Sequence, residues 1–321
     1  TGAEFSALQA ALKQSDRLIV PCKMGNPNSS DMGVKPPPEL NRDQVLYRLG
    51  FTNLISDQND IIRRQLLAMD PSTVCPADYS LSALLSVHYL AAQNIALELN
   101  PDGSWKLGNT VIKPISFPTG GYFKVDGRGH QMLLNYRSPQ NASSFHTPED
   151  AVPRISLGAA LSGGLTTENV KDRIVLIGTT AREFKDYHLT PYRNEQGAPL
   201  EIPGVMLHAQ MVSQLISAVL DGRPLLWSLP VWAEMVWIFS WALFGGLLAL
   251  YLRPVLVLGL ANGMAIAGLY GICLMLFVQV GCWIPLAPAA IACVSTASLI
   301  YCSRFRWVQK PSHPIFRSPS L

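Results

Sequence analysis

The sequence predicts an α/β layered domain with a mainly parallel or mixed sheet, followed by a C-terminal region of three transmembrane helices. Three observations predict it. Charge is concentrated early: 20 of the 25 Lys and Arg, and 21 of the 22 Asp and Glu, precede residue 226. The remainder carries three apolar runs, each longer than the roughly 20 residues that cross a hydrocarbon core. Before them, short runs rich in apolar and β-branched residues alternate with runs of helical period, the pattern of a layered α/β domain.

Taken in order, "EFSALQAALKQS" (4–15) places Phe5, Leu8, Ala11 and Leu12 on one side of a helix. "RLIVPCK" (17–23) is a strand, and the Pro, Gly and Ser of 26–40 make a loop. "FTNLIS" (51–56) and "RRQLLAM" (63–69) are strands flanking "DQNDII", and "YSLSALLSVHYLAAQN" (79–94) is a helix whose His88 is a partly buried core residue. Asp-Gly turns a hairpin within 96–109, and Gly127 and Gly129 turn a second within 122–138. "ISLGAALSGG" (155–164) is a short helix. "DRIVLIG" (172–178) is apolar enough for a central strand buried on both faces. The helix of 203–224 presents Val205, Ala209, Val212, Ile216 and Val219 on one face, and Gly222 and Pro224 end it. The domain thus occupies 1–224.

The spans are 225–252, 254–281 and 282–302, within a membrane region of 225–303. Glu234 and Arg253 are the only charges from 225 to 302, leaving no polar face for water. Arg253 lies between the first two spans, Arg304, Arg306 and Lys310 follow the third, and the turn "VQVGCW" has no cation. The basic side is expected to be cytoplasmic, which puts the first domain outside. Gly245, Gly246, Gly259, Gly263 and Gly268 suit close helix contact. The Pro/Ser-rich tail, 304–321, is expected to be a short disordered cytoplasmic segment. The near-neutral balance before residue 226 excludes a nucleic-acid footprint.

Candidate chemistry gathers in "GTTAREFKDYHLTPY" (178–192) and "PGVMLHAQ" (203–210), which hold Asp186, His188 and His208. Residues two apart on an extended segment share a face, so Asp186 and His188 converge, and His208 near a helix start can join them. Metal ligation, small-ligand contact and a purely structural role all fit these residue types. Four ligands for a structural zinc, or an ordered shell for a catalytic one, are not visible, and neither metal nor cofactor is expected. The loop follows the expected central strand, where open α/β sheets place their crevice. Thr179 and Thr180 faintly resemble a phosphate loop without its G-x-x-x-x-G-K-[ST] pattern. Arg63 and Arg64, with Asp57 and Asp60, read either as an anion-binding pair or as a local ion-pair network. No catalytic motif occurs, so no catalytic residue is assigned. Cys22 and Cys75 fall on the outer side, where a disulfide is permitted, and sequence leaves their pairing open. Gly204, Gly222, Arg223 and Pro224 bound the helix that meets the first span about three residues later. That short link predicts that a shift of the helix reaches the membrane.

The stretches "DQNDIIRR" (57–64), "GHQMLLNYRSP" (129–139), "ISLGAALSGG" (155–164), "KDRIVLIGTTAREFKDYHLTPY" (171–192) and "PGVMLHAQMVSQLISAVLDGRPL" (203–225) together resemble an extracytoplasmic CHASE2 sensor domain. Three spans after it match the family's layout, as in bacterial and plausibly cyanobacterial members. The resemblance implies a multi-pass protein of the cell (inner) membrane. It would detect an extracytoplasmic stimulus, an unknown small-molecule ligand, and pass it through the lipid bilayer to an output domain outside this chain. A homodimer or a partner signalling protein is the expected company, with no nucleic acid. The family also implies an earlier anchor, strand and helix ahead of Thr1, so the N-terminal part is expected to be missing and a strand edge left unpaired. The rival readings are an extracytoplasmic membrane-anchored enzyme using Asp186, His188 and His208, and a ligand-free membrane scaffold.

Overall fold

The computed structural model describes residues 2–26, 31–38, 40, 42–119, 121–122, 125–137 and 152–308. Two compact units emerge: one takes residues up to Phe117 and the stretch ending at Trp227, the other a short piece beginning at Pro118 and everything from Ser228.

The first unit mixes helices with small sheets. In order it contains α1 (Gly2–Gln14), β1 (Val20–Cys22), α2 (Arg42–Arg48), β2 (Leu49–Phe51), β3 (Arg64–Ala68), α3 (Leu81–Ala91), β4 (Leu97–Leu99), β5 (Trp105–Leu107), β6 (Thr110–Ile112) and β7 (His130–Leu133). α4 (Leu157–Ala159), α5 (Thr167–Val170), β8 (Tyr187–Arg193), β9 (Pro199–Pro203) and α6 (Gly204–Leu220) follow. β1 and β2 pair in parallel, Val20 with Leu49 and Cys22 with Phe51. The other ladders are antiparallel: β3–β7, β4–β5–β6 and β8–β9. Mixed pairing was expected, but it is distributed over small sheets.

Local chemistry explains most elements. Ser80 caps α3 by accepting from the Ala83 N–H. Gly103, at φ +78°, supplies the left-handed residue of the β4–β5 turn. β3 is buried nearly throughout. It pairs with β7, so Met132 and Leu133 of 122–138 join β3 instead of closing the second expected hairpin. An apolar partner outcompetes the nearer Gly turn; residues 123, 124 and 138 of that stretch lie outside the described residues.

α6 is the spine of this unit. Leu215 packs with Leu67, Leu90, Trp105 and Ile112 in one core, and Met206, Leu207 and Met211 pack with Ile62, Leu134 and Ile202 in another. The expected buried face is largely inverted: Val205, Ala209, Ile216 and Val219 are only half-buried, while Val212 is buried. Both sides of this helix are apolar, so periodicity alone does not say which side meets the deeper core.

The expected central strand at 172–178 is not a strand. Among the described residues it has no ladder partner, Val175 is 52 % exposed and Ile177 is 95 % exposed. Apolar composition specifies a preference for burial but cannot supply the neighbouring strand. Gly178 approaches α6 so closely that a Cβ there would lie 2.6 Å from Val205 Cβ.

In the second unit, α7 (Val231–Tyr251), α8 (Val255–Val280) and α9 (Leu286–Val308) are the three long helices. Each is long and apolar enough to cross a membrane, over 231–251, 255–280 and 286–304. α9 continues to Val308, so 304–308 is helical and not the start of an irregular tail; 309–321 lies outside the described residues. Gly245 and Gly246 are buried, and Gly245 lets α7 approach the Cys293 backbone of α9. Gly259, Gly263 and Gly268 meet nothing within 4 Å, so the small residues of α8 do not pack within this chain as expected. Arg304 donates to the Ala249 and Leu250 carbonyls at 2.7 and 2.8 Å, satisfying the open C-terminal end of α7.

Candidate functional site

β8 and β9 form a hairpin, and its last residue, Pro203, leads directly into α6. Tyr187 pairs with Pro203 and His188 with Ile202. This hairpin, absent from the sequence reading, is what brings 186–188 onto the first turn of α6. The Asp186 carbonyl accepts the Gly204 N–H at 3.0 Å. The Asp186 carboxylate also sits there: a Cβ on residue 204 would lie 2.5 Å from Oδ2. Glycine is therefore required by close approach, and the anionic side chain fills the positive end of the helix.

His188 Nε2 lies 3.0 Å from Asp186 Oδ1. His208, one helical turn beyond Gly204, is 7 % exposed. Its Nδ1 is buried without a hydrogen-bond partner among the described residues. Burial pushes the His208 pKa down to about 4, with His188 adding to the shift and Asp186 opposing it. His208 is therefore neutral at physiological pH.

These three residues line one cleft of about 790 Å³. Its other walls come from the β1 end (Pro21 to Met24), the segment after β2 (Thr52 to Leu54), Ile62, and the unpaired Leu176 and Ile177. Asp31, Asp60 and Glu201 add carboxylates, and among the described residues Lys23 is the one Lys or Arg of the lining. A disulfide joins Cys22 to Cys75 with their Cα atoms 5.5 Å apart, so one wall is pinned covalently. The sequence left that pairing open.

Other sequence-predicted residues lie elsewhere. Thr179 and Thr180 are exposed and do not line the cleft. Thr179 Oγ1 accepts the Ala181 N–H, and the Thr180 carbonyl accepts the Tyr187 hydroxyl. Arg63 and Arg64 also stay outside it. Both reach Asp57, at 2.9 and 3.1 Å. Arg64 is 1 % exposed and further donates to Gln131 Oε1 and to the Asp126 and Ser56 carbonyls. With its donors so engaged it organises the turn and offers nothing to an anion. Among the described residues no group of three His, Cys, Asp or Glu is arranged to hold a metal. Lys23 and Asp31, from one local segment, and Glu201, from β9, were missed because these two stretches are far apart in sequence and no spacing rule links them.

The far end of α6 is fastened rather than free. Gly222, at φ +65°, turns the chain, and the Arg223 N–H returns to the Ser217 carbonyl. Arg223 Nη2 donates to the Asn135 carbonyl, Asn135 Oδ1 and the Tyr136 carbonyl at 3.0–3.1 Å. Asn135 Nδ2 in turn donates to the Pro224 carbonyl. The Tyr136 hydroxyl donates to the Ile62 carbonyl at 2.8 Å, and Ile62 lines the cleft. Helix α7 starts only at Val231, capped at Pro230, so the link is longer than the three residues expected. Pro224 and Pro230 keep helix from propagating through it.

The class so defined is an α/β domain with a pinned, carboxylate-rimmed cleft, continuous in chain with three helices long and apolar enough to cross a membrane. The CHASE2 domain model matches residues 4–247, and the chain belongs to that family of extracellular sensor domains. No curated protein and no solved structure matches it.

Proposed function

We propose that the chain is the sensing and membrane-spanning part of a signalling receptor, with the first unit outside and the C-terminal end in the cytoplasm. A ligand in the cleft would shift the first turn of α6, and α6 would pass the shift to α7 for an output module or partner protein to read. One observation carries this reading. The helix whose first turn floors the cleft, at Gly204, Val205 and His208, is the helix whose other end leads through the Arg223 fastening to α7. Gly204, Gly222, Arg223 and Pro224 are the coupling positions, and Asp186, His188 and His208 the contact positions. Arg253 and Arg304 on one side of the spans support the orientation. The Cys22–Cys75 bond supports it as well, because disulfides persist outside the cytoplasm.

Two measurements test it. Glu195, exposed in the β8–β9 turn, is replaced by Cys in a Cys302→Ser background. It should react with a membrane-impermeant maleimide in intact spheroplasts; labelling only after lysis refutes the orientation. For transmission, Val205→Trp fills the cleft from α6. It should change hydrogen exchange in the first turns of α7, and a Gly-Ser-Gly-Ser insert after Arg223 should abolish that change. Exchange in α7 that ignores Val205→Trp refutes the coupling.

A further inference from the structure

We propose that the cleft takes a cationic amphiphile: a small ammonium group seated at Asp186 and His208, carried on an apolar body that lies along Leu176 and Ile177. The inference rests on the sensor reading only in needing the cleft to be a binding site.

Charge decides the sign of the head group. Among the described residues of the lining, Asp31, Asp60, Asp186 and Glu201 stand against one Lys or Arg, Lys23. Lys23 is already paired with Asp31 at 2.7 Å, and Glu201 meets Arg182 at 3.3 Å. Among the described residues, no Lys or Arg lies within ion-pair distance of Asp60 or Asp186. An anion would also find the positive end of α6 occupied by the Asp186 carboxylate.

His208 supplies the second, independent observation. Its Nδ1 is buried, lacks a partner and belongs to a cleft-lining side chain. A buried polar atom left unpaired is destabilising, and a hydrogen bond from a ligand relieves that cost. Because burial holds the ring neutral, its unprotonated nitrogen can accept a hydrogen bond from an ammonium, and the ring brings no positive charge to offset an anion. Neutral imidazole and carboxylate are both acceptors, and an ammonium offers three donors and no acceptor.

The body of the ligand follows from the apolar part of the lining. Ile177 is 95 % exposed, and Leu176 beside it also lines the cleft. With Leu54 and Ile62 they give the cleft an apolar side. A hydrophilic polyamine would leave that side wet; an ammonium on an aromatic or aliphatic body covers it.

The probes are tryptamine and indole-3-propionate, which share a body and differ in charge. The full chain in lipid nanodiscs is titrated by calorimetry, with empty nanodiscs subtracted for partition into lipid. Tryptamine should bind saturably and indole-3-propionate should not. Asp186→Asn and His208→Phe should each weaken tryptamine at least tenfold, while Arg128→Gln, at an exposed ion pair outside the cleft, should leave it unchanged. Thermal unfolding of each variant distinguishes lost binding from lost folding; if His208→Phe does not fold, Asp186→Asn decides. Binding of indole-3-propionate at least as strong as that of tryptamine overturns the charge assignment while leaving a ligand-binding sensor in place. Absence of saturable tryptamine binding, or binding indifferent to Asp186→Asn, overturns the proposal. The α7 exchange measurement above judges the sensor reading separately.

Discussion

Burying a neutral histidine makes the first unit acid-sensitive in a calculable way. The His208 pKa is about 4 in the folded chain against about 6.5 in an unfolded one. Because the folded value is the lower, the unfolded state binds the proton first. Stability from this group is complete above pH 6.5 and is lost progressively as pH falls from 6.5 toward 4. At about 1.4 kcal/mol per pKa unit, the full loss is about 3 kcal/mol. Asp186 and His188 are the charged or titratable neighbours that act on it. The perturbation is His208→Asn, which keeps a polar atom near Nδ1 and removes the titration. The assay is urea unfolding of the full chain in nanodiscs, followed by hydrogen exchange of α6 peptides from pH 7.5 to 4.5. Wild type should lose more stability than the variant over this range, and the difference between them should approach 3 kcal/mol. Identical pH slopes in the two proteins, or a wild type that gains stability on acidification relative to the variant, would refute the reasoning. His130 is half-buried beside Trp105, and desolvation also pushes its pKa down to about 4. The variant should therefore keep a residual acid slope, which His130→Gln flattens.

Further expectations concern the frame around the cleft. Gly204→Ala should destabilise by about 1–3 kcal/mol by displacing Asp186, although alanine is favoured in a helix by about 1 kcal/mol; thermal unfolding gives the sign. Replacing Cys22 and Cys75 by Ala opens a link spanning 53 residues and should cost about 4 kcal/mol on loop entropy, read from urea midpoints under non-reducing conditions. Arg223→Ala should cost about 1.5–3 kcal/mol by removing charged hydrogen bonds and should raise exchange at residues 133–137, with Arg223→Lys recovering part of it. Gly245→Leu should separate α7 from α9, detected as loss of a disulfide engineered between those two helices.

The sequence was most informative where one segment decides its own structure. The apolar runs defined α7 to α9 within a few residues, except at the first, where Pro230 delays the helix. Asp102 and Gly103 located the β4–β5 turn, and Asp186, His188 and His208 could be grouped because two lie on one extended stretch and the third on the next helix. It failed where partners had to be chosen. Residues 172–178 are largely apolar yet have no ladder partner among the described residues; β7 takes β3 in preference to its nearer neighbour. The β8–β9 hairpin was hidden because Pro191, Pro199 and Pro203 lower strand propensity while fitting the edges of a two-stranded ladder. Asp31 and Asp60 reach the cleft from segments far in sequence from the β8–β9 hairpin that carries Asp186 and Glu201, and only folding collects them.

Two glutamines of α6 behave as backbone surrogates. Gln214 accepts the Asn135 N–H and donates to the Leu133 carbonyl, and Gln210 accepts the Arg137 N–H. The chain leaving β7 thus finds, on helix side chains, the bonds that another strand would offer. The spacing is that of one helical turn, so α6 cannot slip axially against this strip without breaking several buried bonds together. Helix and strip must travel as one rigid piece. An axial slide of α6 alone is thereby opposed, and because Arg223 and Pro224 are tied to Asn135 and Tyr136, the rigid piece extends past Gly222 to the segment that follows Pro224.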